Sequence, residues 1–351
     1  MKQNVVVLFG GQSTEHDVSK RSVLTFLQYM DENCYEVKVV GITRDGKWLL
    51  VENGIEDIKS GAWEKSTVSA TLLPDATLKS LLIQREKGLE YFKVDVVIPV
   101  LHGLYGEDGS IQGLLKLAKI PFVGCGVLAS AVSMDKFYTK LVVEPLGIRQ
   151  AKYVGVYKES YNKEAVEEKV ENRLGFPVFV KPSNAGSSIG VSKATDTATL
   201  HEALLNAFIH DRKVLIEENI QGREVECAVI GNLEVKASDV GEILSADDFY
   251  DFDSKYNNPE SKTILSADMP EATRQQIREA AIAIFKAVDG RGLSRVDFFI
   301  EHHTGEIVFN EINTFPGFTD ISMYPMLIEA EGITKSELMD HLIQLAIDDC
   351  V

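Results

Sequence analysis

Cysteine and tryptophan are the scarcest side chains here, four and two in a chain of 351 residues. Cys34, Cys125, Cys227 and Cys350 are scattered, with no C-x-x-C and no histidine pair nearby. That spacing argues against a zinc site and a disulfide framework, and it suits a reducing, cytoplasmic setting. Long apolar runs are missing too. No stretch approaches the ~20 apolar residues that a helix needs to span a bilayer. The short apolar run in MKQNVVVLFGG reads as a first β-strand rather than the core of a secretion signal. Positive charge is in deficit: 36 Lys and Arg against 53 Asp and Glu give a formal net charge of −17. Such a surface repels nucleic acid and anionic membranes, so neither is an expected partner. An anionic ligand then needs a locally basic pocket, which draws attention to lysines set among glycines. No G-x-G-x-x-G follows the first strand and no G-K-[ST] closes a glycine-rich loop. Neither a nicotinamide site nor a Walker A loop is indicated.

What is present is an ordinary globular composition, 45% hydrophobic and 25% charged, long enough for two or three lobes rather than one core. Strand-like and helix-like segments alternate, which indicates α/β and α+β lobes. Residues 4–9 form a buried strand turned by Gly10-Gly11. A helix follows, N-capped by Ser13 or Thr14, with Val23, Phe26, Leu27 and Met30 at helical spacing. Further strands cover 35–42 and 94–101, the last ending at His102-Gly103. Residues 45–93 read as irregular and peripheral. This first lobe is expected to be an open parallel sheet, whose ligands bind at the carboxyl ends of the strands. Glu15 and His102 both sit just past strand ends. A second lobe is expected to hold a long helix through 131–143, a strand at 177–181, a polar loop at 183–188 and a strand at 189–191. Its last strand starts at Val214 and runs into Glu217 and Glu218. The third lobe has strands at 224–230, 293–300 and 307–311, and a closing helix opened by the capping box Thr334-x-x-Glu337.

Three clusters carry chemistry. Arg295-Val-Asp297 and Asn310-Glu311-Ile-Asn313 lie on two alternating strands joined by a His303-Thr304-Gly305 turn, the pattern of an antiparallel hairpin. The i, i+2 spacing puts Arg295 with Asp297, and Glu311 with Asn313, on one face of each strand. Two carboxylates and an amide there are hard oxygen ligands suited to Mg²⁺ shared with phosphates; a solvated strand face with cross-strand ion pairs is the competing reading. The loop Lys181-Pro-Ser-Asn-Ala-Gly-Ser-Ser-Ile-Gly offers N–H groups and hydroxyls to phosphates, and it also suits a plain hairpin loop. The polar, aromatic stretch 245–262, with Lys255-Tyr256 inside it, has the length of a functional lid or of a surface loop.

At this point the residues match a family. His102-Gly103-Leu-Tyr-Gly106-Glu107-Asp108-Gly109-Ser-Ile-Gln112-Gly113 resembles the HGxxGEDGxxQG signature of the D-alanine–D-alanine ligases. Gly10-Gly11-Gln-Ser-Thr-Glu15-His-Asp-Val-Ser19 resembles their N-terminal signature. Asn313-Thr-Phe-Pro316-Gly317-Phe-Thr319-Asp-Ile-Ser322-Met323-Tyr-Pro325 resembles their C-terminal one. The matches cover nearly the whole chain in the expected order. The resemblance implies a three-lobed ATP-grasp fold, with a substrate-binding lobe at 1–125, a central lobe at 126–218 and a catalytic lobe at 219–351 carrying a lid at 245–262. It also implies a cytoplasmic homodimer acting in peptidoglycan precursor synthesis. Carried onto matching positions, Lys136, Lys181 and Lys255 resemble the phosphate ligands of ATP. Glu217, beside Glu218, corresponds to the adenine position and Glu224 to the ribose hydroxyls. Asp297, Glu311 and Asn313 correspond to the ligands of two Mg²⁺ or Mn²⁺, and a monovalent cation is a further candidate. Glu15 corresponds to the partner of the first D-alanine ammonium, linked through Ser187 to Tyr256, with His102 beside that substrate. Arg295 and the Gly317 N–H correspond to the oxyanion site, and Ser322 to the carboxylate site of the second D-alanine.

Related ligases join D-alanine to D-lactate or D-serine. Tyr256 after Lys255 resembles the D-Ala–D-Ala enzymes, and Met323 offers no donor to a serine hydroxyl, so D-alanine is the expected second substrate. Phe315, bulkier than expected before Pro-Gly, the acidic Asp320, and the insertion-like 45–93 leave the D-serine or D-lactate alternative open.

Overall fold

The computed structural model describes residues 2–187, 189–244 and 262–349. Lys255 and Tyr256, with the rest of the expected lid up to residue 261, lie outside them. The described residues carry three sheets. In the first, β1 (Gln3–Gly10) pairs in parallel with β2 (Tyr35–Ile42) and with β7 (Val96–Val100). Their near-continuous Val, Ile and Leu runs are what a sheet covered on both faces requires. The open parallel sheet is present as expected, while the reading of residues 45–93 as irregular and peripheral is corrected. That segment supplies β3 (Trp48–Val51), β4 (Ser69–Leu72), β5 (Ser80–Arg85) and β6 (Gly88–Lys93), which extend the sheet antiparallel in the order β6-β5-β4-β3-β2-β1-β7. The reason is an alternation that the segment's polar composition obscures. Ala70, Leu72, Leu81 and Ile83 are buried while Ser69, Thr71 and Gln84 are exposed, and Arg85 pairs with Gly88 across a tight turn.

The second sheet has the order β10-β9-β11-β8, from β8 (Tyr153–Tyr157), β9 (Val178–Pro182), β10 (Ser192–Ala194) and β11 (Lys213–Glu218). The strand expected at 189–191 begins at Ser192, because Gly190 (φ 71°) keeps the chain in the loop. The third sheet runs β14-β13-β12-β15-β16, built from β12 (Gly222–Gly231), β13 (Val235–Leu244), β14 (Lys262–Ile264), β15 (Leu293–Glu301) and β16 (Ile307–Asn313).

Two helix starts differ from expectation. Glu15 itself occupies the N-cap position of the helix His16–Tyr29, without a side-chain cap. The Ser13 hydroxyl is spent elsewhere, donating to the His102 carbonyl (2.7 Å) and accepting the Glu15 N–H (3.1 Å). The single helix expected through 131–143 is two, Val127–Met134 and Lys136–Val143. Asp135 leaves the helical region (φ −92°, ψ 98°) and caps the second helix by accepting the Phe137 and Tyr138 N–H groups. The closing helix Lys335–Asp348 has the expected reciprocal cap between Thr334 and Glu337. No described helix is long and apolar enough to cross a membrane. The cores of the first and third sheets are continuous: Val5, Val7, Ile98 and Val100 share a buried cluster with Ala228, Phe315, Phe318, Leu338 and Leu342. Burial of that apolar surface fixes the first sheet against the strands that carry Arg295 and Asp297, so side chains from both converge on one cleft.

Candidate active site

Two adjoining cavities lie where the sheets meet. The smaller is lined by Glu15, His102, Glu107, Arg295, Gly317, Ser322 and Met323, among others. The larger, about 700 Å³, is lined by Lys140, Lys181, Glu217, Glu218, Glu224 and Phe309, among others, within the range of small-ligand sites. Lys136, Ser187 and Glu311 line both.

On the small side, Glu15 sits at the carboxyl end of β1 and is buried. The Ser187 hydroxyl donates to its carboxylate. Ser187 holds a left-handed backbone (φ 49°) beside Gly186, a conformation uncommon for a non-glycine residue and worth noting at a site. A Cβ on Gly103 would lie 2.2 Å from the Glu15 Oε2, and one on Gly186 2.7 Å. Both glycines therefore leave room for the carboxylate. His102 is 4% exposed, and burial pushes its imidazole down to a pKa of about 4, against the lifting effect of its bond to the Phe315 backbone. Ser322 has its hydroxyl engaged by the Thr319 N–H (2.9 Å) and the Thr319 hydroxyl (2.8 Å). Met323 is buried, its thioether beside Gly241. Asp320 does not line this cavity. Its carboxylate is 84% exposed and points to Lys335 at 3.4 Å, because the turn after Gly317 directs it to solvent. Phe315 is a core ring stacked against Phe26 and tilted against Phe318 and His102, which accounts for its bulk.

The large side is organised by lysines. Glu217 is clamped between Lys140 (2.8 Å) and Lys181 (2.5 Å). Burial alone would raise its pKa, and the two ammonium groups hold it down to about 2. Lys181 in turn is destabilised as a cation by burial and stabilised by Glu217, with a net upward shift. Lys136, the first residue of its helix, donates to the Ala185 carbonyl (2.8 Å) and lies 3.6 Å from Glu311. It thus ties the polar loop to β16. Glu218 accepts the Lys152 N–H (2.9 Å). Glu224 lines the same cavity from β12.

At the junction, β15 and β16 pair antiparallel with Asp297 opposite Glu311 and Arg295 opposite Asn313. Arg295 donates through Nε and Nη2 to the two Asp297 oxygens (2.8 and 2.7 Å) and lies 3.0 Å from Glu226. Those contacts leave Nη1 with two N–H donors for a ligand. The Asn313 amide donates to Asp297 (3.0 Å). Among the described residues no three His, Cys, Asp or Glu side chains are grouped for a metal. The donor set offered here is two carboxylates and one amide oxygen, which fits a hard cation shared with phosphates rather than a closed protein cage.

Several residues at the site were not singled out from sequence. Lys140 lies one helical turn after Lys136, a spacing that signals a shared face. Glu226 shares its strand face with Glu224. Asp135 accepts from Lys213, Ser183 and Asn184, and so joins the Lys136 helix to the polar loop. Ser22, behind the cavity, accepts the Phe318 N–H (3.2 Å) and carried no sequence signal.

The profile described as D-ala D-ala ligase N-terminus matches residues 4–125, and the one described as D-ala D-ala ligase C-terminus matches residues 142–344. The chain belongs to the D-alanine–D-alanine ligase family. A D-alanine–D-alanine ligase of Acetivibrio thermocellus is 51% identical over 99% of this chain and 96% of its own. One of Clostridium novyi is 48% identical over 99% of each. Among solved structures, the VanG D-Ala:D-Ser ligase of Enterococcus faecalis superposes with a TM-score of 0.90 at 38% identity, covering 99% of this chain and 100% of that one. The D-alanine–D-alanine ligase of Coxiella burnetii gives 0.86 at 35% identity, covering 99% and 95%. The three sheets match those ligase structures, and the fold is the ATP-grasp fold of the family, its first sheet mixed.

Proposed function

We propose that this chain uses ATP to join two D-alanine molecules into D-alanyl-D-alanine through an acyl phosphate, releasing ADP and phosphate. The observation that carries the reading is the pair of cavities meeting at Lys136, Ser187 and Glu311. A nucleotide in the larger one presents its γ-phosphoryl to a carboxylate in the smaller one. A carboxylate is a poor acyl donor, and phosphorylation makes its oxygen a leaving group; the transfer needs positioning and charge neutralisation above all. Lys136 and Lys181 supply cationic donors to the phosphates, joined in this reading by Lys255. Glu217, Glu218 and Glu224 face the adenosine. Asp297, Glu311 and Asn313 would hold two Mg²⁺ or Mn²⁺, which supply Lewis-acid and charge-neutralising chemistry to the phosphates.

Glu15 receives the ammonium of the first D-alanine, oriented by Ser187 and, in this reading, Tyr256. His102 closes that side. When the second amine attacks the acyl phosphate, the tetrahedral oxyanion meets Arg295 and the Gly317 N–H. Ser322 receives the second carboxylate, and Met323 presents an apolar wall to a methyl. Holding both amino acids in one small cavity removes orientational entropy from the barrier. The stretch 245–262 serves as a lid that shields the acyl phosphate from water. The lobes divide at 125 and 218, the enzyme works as a cytoplasmic homodimer on peptidoglycan precursors, and a monovalent cation assists.

The VanG D-Ala:D-Ser ligase among the structural neighbours supports a second reading, with D-serine or D-lactate as acceptor. The buried apolar Met323 and the outward Asp320 favour D-alanine. Incubation with ATP, D-alanine and each acceptor across pH, with products identified by mass, separates the two. D-Alanyl-D-alanine is the expected main product at neutral pH, and a dominant mixed product would overturn the choice.

A further inference from the structure

We propose that Ser22 and Glu107, two buried residues of the first lobe, are positioning residues for the Gly317 N–H. The inference rests on the ligase reading above. The backbone of residues 315–318 leaves the third sheet after β16, yet the first lobe grips it on both sides of Gly317. The Phe315 N–H donates to Glu107 (3.1 Å) and the Phe318 N–H to the Ser22 hydroxyl (3.2 Å). Between them, His102 Nδ1 lies 3.1 Å from the Phe315 carbonyl, and His102 Nε2 lies 2.9 Å from the Ser22 hydroxyl.

These contacts have one consistent proton arrangement. A carbonyl only accepts, so Nδ1 carries the hydrogen. In a neutral ring Nε2 must then accept, and the Ser22 hydroxyl is its donor. That leaves the Ser22 oxygen lone pairs for the Phe318 N–H. Ser22 is thus donor and acceptor at once, at 0% exposure in the middle of a helix. A buried hydroxyl is costly unless both roles are met. Glu107 closes the other side. Its second oxygen accepts the Gly103 N–H (2.8 Å), so one carboxylate ties the turn after β7 to the segment after β16. The rings of Phe26, Phe315 and Phe318 pack around the set, and Thr319 is pinned by Ser322 downstream. With its neighbours fixed on both sides, the Gly317 peptide has little freedom to turn. The donor is set by residues distant in sequence, with Glu107 at the wall of the smaller cavity and Ser22 packed behind it.

The oxyanion forms only when the second amine attacks, after phosphoryl transfer. Ser22→Ala removes the acceptor for Phe318 and the donor to His102. It should therefore slow ligation and spare the first step. Losing one oxyanion donor outright costs roughly 10²–10³ in kcat, so a displaced one should cost about 10- to 100-fold. The full-length variant is assayed for dipeptide formation and, separately, for positional isotope exchange in γ-¹⁸O-labelled ATP with D-alanine, which reports reversible phosphoryl transfer. The expected result is the stated fall in ligation kcat, with exchange rate and KM for ATP within about twofold of the parent. Ser22→Thr, which restores a hydroxyl, should regain most of the rate. Glu107→Gln, which turns an amide N–H against one backbone N–H, is the second variant and should slow ligation more than exchange. The inference is overturned if exchange and ligation fall in the same proportion in both variants, or if neither variant slows ligation. Absence of exchange and ligation in the parent protein would overturn the ligase reading, and the inference with it.

Discussion

Replacing Glu217 by glutamine isolates one charge in the nucleotide cavity. The side chain keeps its size and one acceptor oxygen, so little packing is lost. What disappears is the single anion that Lys140 and Lys181 share at 2.8 and 2.5 Å. The carboxyl is 5% exposed. Burial alone would raise its pKa, and the two lysines bring it from 4.5 to about 2. That difference of about 2.5, at ~1.36 kcal/mol per unit, corresponds to about 3 kcal/mol. Breaking a buried pair by removing one partner typically costs roughly 3–5 kcal/mol, which agrees. The sign follows from linkage. A carboxyl depressed on folding contributes its stability above the unfolded pKa near 4.5 and loses it as pH falls through about 2. Urea unfolding followed by circular dichroism should show Glu217→Gln about 3 kcal/mol less stable at pH 7, with the gap narrowing as pH is lowered below 4.5. KM for ATP should rise as well, since the freed lysines are no longer held in place. A variant within about 0.5 kcal/mol of the parent at pH 7, the scale of an inert surface substitution, would refute the argument, as would a gap that does not change with pH.

Arg295→Ala removes the guanidinium that faces both the proposed oxyanion and Asp297; dipeptide formation should fall at least ~10²-fold while ATP binding by calorimetry persists. Gly103→Ala sets a methyl 2.2 Å from the Glu15 oxygen at a left-handed φ of 68°, so KM for the first D-alanine should rise about tenfold or more, with ATP binding near that of the parent; an unchanged KM would remove Glu15 from the ammonium site. Asp320→Ala should leave product choice and rate unchanged, since the carboxylate is turned toward Lys335; a shift toward D-serine products would count against that placement. ATP should bind several-fold to about 100-fold more tightly with Mg²⁺ than with EDTA, and equal affinities in calorimetry would refute the metal role of Asp297 and Glu311.

The parts of the structure legible in the sequence are those set by local period. The β15–β16 hairpin was readable from its two-residue alternation and Gly turn, but the facing of Asp297 and Glu311 was not, because a register shift between Asp297 and Phe298 moves the pairing by one residue. The cap at Thr334 and Glu337 was also readable from local spacing. Long-range choices were not. Nothing near Ser13 shows that its hydroxyl will serve His102, 89 residues away, instead of capping its own helix. Asp135 reads as a tolerable helix interior residue until Lys213 and Ser183 arrive to hold it out of the helix. Residues 45–93 looked irregular because their strands are short and edge-on, with one face in solvent. The family signatures name Glu107 without assigning it a task, and its bond to Phe315 spans 208 residues.

The same long-range pairing explains how an acidic chain presents an anion site. The cations of the cleft do not stand free. Lys140 and Lys181 are matched to Glu217, Lys136 to Glu311, and Arg295 to Asp297 and Glu226. Without ligand this keeps buried charges paired, as a low-dielectric interior demands. A triphosphate must therefore exchange partners, drawing Lys136 from Glu311. The Glu311 carboxylate released that way faces the incoming phosphates and would repel them. A divalent cation at Asp297 and Glu311 offsets that repulsion, and Glu311 is the side chain whose cationic partner the phosphates engage. Nucleotide and metal are then linked through shared lysine and carboxylate partners, so each should favour binding of the other by the same factor.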